Sequence, residues 1–241
     1  MQVASKSDVG QVREMNEDCC QVKQLGGAVL AIICDGMGGA AGGYIASQTA
    51  ASLIAESVCA AFQEHMKSRS IKHLLVTAID NANARVYDLA QSDDNLAGMG
   101  TTVVAALVTP GAAYIAHAGD SRAYLYTGGD LLQLTKDHSV VQAMVDSGQL
   151  TEDEAKVHPR KNLITRALGV GDTLEVDYCE ESLRAGDILL LCTDGLTNAA
   201  EPGQIKALLG ACAFGELADR LVDAANRGGG TDNITVAVIG I

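Results

Sequence analysis

Apolar residues fall along this chain in short runs separated by glycine-rich breaks. Segments 2–8, 17–24, 28–34, 101–109, 112–118, 121–127, 131–134, 174–180, 187–193 and 233–241 are rich in Val, Ile, Leu and Thr and read as strands. Tight turns at Gly26-Gly27, Pro110-Gly111 and Gly128-Gly129 join neighbouring strands, which implies antiparallel pairing. Elsewhere the spacing changes to three and four. Ala46, Ala50, Leu53, Ile54, Val58, Ala61 and Phe62 predict a helix over 43–68, and Leu75, Ile79, Ala82, Val86 and Leu89 predict a second over 71–92. Thr151 with Glu154 forms a capping-box pattern for a short helix, and a last helix pair spans 201–211 and 214–227 before three glycines. Because the helices come in pairs, a doubly wound parallel sheet fits poorly. An α+β sandwich of antiparallel sheets covered by helix pairs fits better.

Composition sharpens this picture. With 2 Phe, 6 Tyr, no Trp and 26 Gly in 241 residues, the core must be built from Ala, Val, Leu and Ile. A hydrophobic content of 48% suffices for one compact domain over 1–241. The net charge of −13 disfavours nucleic-acid partners, whose binding relies on Lys and Arg at phosphates. The seven cysteines form an odd set, with Cys34 and Cys192 inside apolar runs, and imply a reducing, cytoplasmic setting. The opening residues lack the apolar stretch of a signal peptide, and the uncharged window 96–119 is broken by Pro110-Gly111, so it reads as a hairpin and no membrane association is expected.

The chemistry lies at strand ends. The apolar run 28–34 stops at Asp35, the run 187–193 stops at Asp194, and Asp232 opens the last strand. A buried carboxylate needs water or a cation in front of it. These are hard oxygen donors, and glycine beside an aspartate lets a backbone carbonyl turn toward the same ion, which favours Mg²⁺ or Mn²⁺ over zinc. The run Gly36 to Ala41 also matches a loose dinucleotide-binding pattern. Against that reading, Asp35 would oppose a pyrophosphate, and the second strand of a βαβ unit is missing.

With these aspartates and Arg13 in view, the sequence resembles the metal-dependent Ser/Thr protein phosphatases of the PPM, or type 2C, family in its short bacterial form. The motifs run in order: DVGQVREMNED (8–18), CDGMGG (34–39), MGTT (99–102), HAGDSRAY (117–124), DHS (137–139), ALG (167–169), CTDGL (192–196) and GGTDNIT (229–235). The resemblance implies a four-layer αββα sandwich with two central antiparallel sheets, and hydrolysis of phosphoserine and phosphothreonine by a metal-activated water without a covalent intermediate. It implies that Asp35 bridges two Mn²⁺ or Mg²⁺ ions, with the Gly36 carbonyl completing one site and Asp194 and Asp232 holding the other. Asp18 and Glu17 then hold metal-bound waters, Asp120 with Asp194 matches a third, looser site, and Arg13 grips the substrate phosphate. Partners would be phosphorylated proteins of a cognate Ser/Thr kinase, met by a monomer.

Other phosphatase chemistries lack their residues: no Cys is followed six positions later by Arg, and Asp35 is not in a D-x-D pair. His117 and His138 lie near motifs and read equally as structural hydrogen-bonders. The chain departs from bacterial members at Ala40, commonly His, and at Tyr44, commonly acidic, while Met37 stands where eukaryotic members place a proposed general acid. Those departures motivate a rival, a pseudophosphatase that binds a phosphorylated partner without turnover. Segment 137–170 is expected to form a small helical, flap-like insert beside the site.

Overall fold

The computed structural model of the chain describes residues 1–39 and 41–241, so Ala40 lies outside the described residues. Its strands are β1 (Gln2–Asp8), β2 (Asp18–Leu25), β3 (Ala28–Met37), β4 (Gly100–Thr101), β5 (Val103–Thr109), β6 (Ala112–Ala118), β7 (Arg122–Thr127), β8 (Asp130–Gln133), β9 (Asp177–Ser182), β10 (Ile188–Cys192) and β11 (Ile234–Gly240). They form two antiparallel sheets, ordered β1-β11-β10-β7-β8 and β2-β3-β5-β6-β9, with β4 pairing β3.

Residue alternation sets the layers. Along β3, Val29, Ala31 and Ile33 point into the core between the sheets with Val104, Ala106, Leu189, Leu191 and Ala237. Leu30, Ile32 and Cys34 point the other way, onto helices α1 (Gly42–Ala61) and α2 (Ser68–Ser92). The outer face of the other sheet, including Leu190, Cys192, Val236 and Val238, is covered by α6 (Pro202–Ala211) and α7 (Leu217–Arg227). Strands buried on both faces need continuous apolar sequence, which explains the unbroken runs. The result is the four-layer α+β sandwich.

Several boundaries differ from the periodicity. The first helix ends at Ala61, not 68, because Phe62 turns extended and His65 adopts a φ of 69°. Phe62 and Met66 keep the helical spacing yet reach the same core from a loop. Leu174 and Val176 likewise pack on that core before β9 begins at Asp177. Periodicity did not delimit two short helices: α3 (Val140–Asp146), capped by Ser139 within the expected helical insert, and α5 (Asp194–Thr197). The predicted capping box does open α4 (Glu152–Lys156).

Register decides where the loops gather. Cys192 is paired with both Arg122 and Val236, so Asp120, Asp194 and Asp232 lie just beyond one edge of their sheet. In the other sheet Asp35 lies opposite Asp18, and Val103 opposite Ala118. Both sheets therefore deliver their motif residues to the same end of the sandwich.

Candidate active site

Asp18 and Asp35 face each other across β2 and β3, and neither amide serves the ladder between those strands. Asp18 N–H donates to Asn16 Oδ1 at 3.1 Å, and Asp35 N–H to Thr102 Oγ1 at 3.0 Å. Directly opposed residues of this non-hydrogen-bonded kind have their Cα atoms about 4.5 Å apart, the closer spacing of an antiparallel pair. Gly36 follows where the chain passes close to the start of α1. A Cβ there would drive into the Gly43 carbonyl and lie 2.6 Å from the Glu17 carbonyl oxygen. Glu17 rests against the same helix start, where the amides of Gly43 and Tyr44 favour its charge. Burial outweighs them and raises its pKa.

The other sheet supplies the opposite wall. Asp194 opens α5, with Asn198 Nδ2 donating to its Oδ2 at 2.8 Å. Thr193 Oγ1 donates to Asp18 Oδ2 at 3.0 Å and accepts the Thr235 N–H at 3.0 Å, tying the two sheets together beneath the acids. Asp232 Oδ1 accepts the Asn233 N–H at 2.9 Å, and its Oδ2 accepts from Arg13 Nη2 at 2.8 Å. Asp120 occupies the turn between β6 and β7, flanked by Gly119, whose φ is +111°, and Ser121.

These carboxylates act on one another. Burial, reinforced by Asp18, Asp194, Asp120 and Asp232, pushes the Asp35 carboxyl well above its ordinary range. Burial first and neighbouring acids second raise Asp18 to about 7, Asp120 to about 7 and Asp194 to about 6. Asp18 Oδ1 and Asp194 Oδ1 are buried without a hydrogen-bond partner among the described residues. Buried acceptors of this type are rarely left without a partner, and like charges at close range repel. A set of hard oxygen donors with unsatisfied lone pairs and mutual repulsion fits divalent cations of the Mg²⁺ and Mn²⁺ type.

All eight sequence-predicted site residues, Arg13, Glu17, Asp18, Asp35, Gly36, Asp120, Asp194 and Asp232, lie at this end, Asp120 in the β6–β7 turn. Tyr44 keeps its amide on Glu17 and is 47% exposed. His117 and His138 stand apart as a stacked pair. Residues not foreseen are Thr193, Thr102 and above all Asn233. Its Oδ1 accepts the Glu17 N–H at 2.8 Å, and its Nδ2 donates to the Val9 and Met15 carbonyls at 3.0 Å each. Its sequence signal was its place directly after Asp232, inside the GGTDNIT motif.

Fold and acid cluster together define a four-layer sandwich with a set of hard oxygen donors suited to divalent cations at one end. The chain belongs to the protein phosphatase 2C family, whose profile matches residues 10–228. It is 37% identical over 99% of its length to a serine/threonine phosphatase of Listeria welshimeri, covering 95% of that protein. Among solved structures, the serine/threonine phosphatase of S. agalactiae superposes with a TM-score of 0.93 at 35% identity, covering 100% of this chain and 99% of that one. The catalytic domain of the phosphatase PstP in complex with two manganese ions superposes at 0.87 and 36% identity, covering 98% and 96%. This chain is accordingly a serine/threonine phosphoprotein phosphatase dependent on a divalent metal. No helix among the described residues is long and apolar enough to cross a membrane.

Proposed function

We propose that the chain is one phosphatase domain, with 137–170 as a flap, that dephosphorylates substrates of a cognate Ser/Thr kinase in the cytoplasm as a monomer. Asp35, the Gly36 carbonyl, Asp194 and Asp232 hold two Mn²⁺ or Mg²⁺ ions, Asp18 and Glu17 anchor the water around them, and Asp120 with Asp194 forms a third, weaker position. Bound there, the ions supply Lewis-acid activation of a water for in-line attack on phosphorus and offset charge on the phosphoryl oxygens. The observation that carries this reading is the pair of buried, unpartnered oxygens on Asp18 and Asp194 within one group of mutually repelling acids.

The protein's own side chains do the rest. Asp18 keeps its orientation through the Thr193 hydroxyl, so its second oxygen stays aimed into the cluster. Arg13, half exposed at the rim, offers a planar fork of donors to a phosphate dianion and can exchange Asp232 for it. Beside Asp120 and Asp194 a cavity of about 470 Å³ extends under the flap helices, bounded by Lys161, Asn162, Asn198 and Glu201. It has room for residues flanking the phosphorylated one, with both charge signs on its walls.

The test is turnover of a phosphothreonine peptide and an aryl phosphate. EDTA and Asp232→Ala should each abolish it, and activity surviving both would refute the metal mechanism.

A further inference from the structure

At the base of the 137–170 segment lies a second group of titratable side chains: His117 on β6, His138, Arg166, and Asp177 at the start of β9. His117, His138 and Asp177 offer donor atoms within 4.8 Å of one another, a spacing that invites a metal. Ring geometry argues against one. The imidazoles are stacked, with centroids 4.8 Å apart and planes 11° from parallel. Imidazole lone pairs lie in the ring plane, so those of stacked rings run side by side and do not converge on one ion. Arg166 Nη1 also sits 3.0 Å from His138 Nε2 and 2.8 Å from Asp177 Oδ1, placing fixed positive charge where the cation would go.

His138 is instead engaged at every polar atom. Its N–H donates to the Gly119 carbonyl at 2.9 Å, and its own carbonyl accepts the Thr165 N–H at 2.7 Å. Its Nδ1 accepts the Gly119 N–H at 3.1 Å. In a neutral ring Nε2 then carries the proton and faces Asp177 Oδ2 at 3.3 Å, so Arg166 Nη1, itself only a donor, is a neighbour of that nitrogen and gives its hydrogen bond to Asp177 Oδ1. His117, held by its Nε2 on the Lys136 carbonyl at 3.0 Å, forms the flat surface behind the ring.

Gly119 has no side chain to hold it, and its backbone is in a conformation that other residues rarely adopt. The turn carrying Asp120 is therefore fixed from its two sides: by His138 at Gly119, and by the Ser121 hydroxyl on Thr102 Oγ1 at 2.7 Å. Thr102 Oγ1 also receives the Asp35 N–H, so a shift of this turn would move Asp120 relative to Asp35.

We propose that His138 is a positioning residue for the acid cluster: its Nδ1, accepting the Gly119 N–H, holds the turn that presents Asp120 and pins the flap's base to it, with Asp177 orienting the ring. The consequence for metal binding rests on the reading of Asp120 as a ligand.

Two variants of the full chain separate this from general packing. In His138→Asn the Oδ1 falls where Nδ1 stood and can still accept from Gly119. In His138→Gln the amide lies further out, leaving Gly119 N–H without an acceptor. Amide exchange over 119–121 should rise about tenfold in His138→Gln and stay within about twofold of wild type in His138→Asn. Trypsin cleavage at Lys156, Arg160 and Lys161, and the Mn²⁺ concentration that fills the weakest site by calorimetry, should increase in the same order. Unchanged exchange in the Gln variant, or equal acceleration in both, overturns the proposal. If the Gln variant does not fold, the Asn variant decides: native exchange supports the proposal and a tenfold rise overturns it. Asp120→Asn separates the two readings. An unchanged Mn²⁺ titration there would remove Asp120 from the metal set while leaving the exchange result to judge His138.

Discussion

Asn233→Ala removes the amide that holds the 9–17 loop against the acid cluster. Asn233 is 5% exposed, and alanine deletes its bonds to Glu17 N–H, Val9 O and Met15 O together. At about 1 kcal/mol net for each hydrogen bond, the loss is about 3 kcal/mol if all three groups stay dry. Val9 and Met15 belong to an exposed loop, so water recovers part of it and about 2 kcal/mol is expected. A domain with roughly 5–15 kcal/mol of stability remains folded after such a loss. The damage concentrates on Arg13, which this loop carries, whereas Asp232 retains its backbone anchor because the residue 233 N–H persists. Urea unfolding in saturating Mn²⁺ should show the stability loss. Steady-state assays should show KM for a phosphopeptide raised about tenfold, equivalent to about 1.4 kcal/mol of lost substrate binding. Mn²⁺ affinity should stay close to wild type. A stability change below about 0.5 kcal/mol, or a KM that does not move, would refute the clamp.

Three further outcomes follow from the same geometry. Arg13→Ala should raise KM while calorimetric Mn²⁺ binding persists, and lost binding would mean the guanidinium supports the metal site itself. In chelator-treated protein the Asp18, Asp120 and Asp194 carboxyls titrate near 7, 7 and 6, above the ordinary 3.8. The folded state then binds more protons than the unfolded one across this window. The stability linked to these groups is present below about pH 4 and lost as pH rises toward 7, with a ceiling of about 4 kcal/mol for Asp18. Denaturant midpoints at pH 5 and 7.5 should fall with pH in EDTA and recover in Mn²⁺, and a chelated protein no less stable at pH 7.5 contradicts the assignment. Gly36→Ala should lower Tm sharply and weaken Mn²⁺ binding, since its Cβ meets backbone oxygens on two sides. A variant with native Tm and affinity would show that the close approach is not required.

Much of the architecture was written in local pattern. Short apolar runs rich in Val, Ile, Leu and Thr marked the strands, tight turns forced antiparallel neighbours, and paired amphipathic helices had to cover the sheets. That Asp35, Asp194 and Asp232 border buried apolar runs was legible for a similar reason: a charge that interrupts a buried run demands a solvating partner. Asp35 nonetheless lies inside β3, which runs on to Met37 because Gly36 and Met37 pair with β4. Where packing overrode local spacing, the pattern misled. Phe62, Met66, Leu174 and Val176 reach the core from loops, so their apolar character did not specify helix or strand.

What only the folded chain decided is register and reach. Nothing local says that Asn233 bonds a loop more than two hundred residues earlier, that Thr193 links Asp18 to the opposite sheet, or that His138 completes the turn before Asp120. Side-chain amides, hydroxyls and imidazoles look alike in sequence wherever they lie, because their roles depend on which unpaired backbone group arrives within about 3 Å. Composition and periodicity determined that acids would follow buried apolar runs; the face-to-face packing of two sheets decided that those acids would meet at one end, and which polar side chains would hold them there.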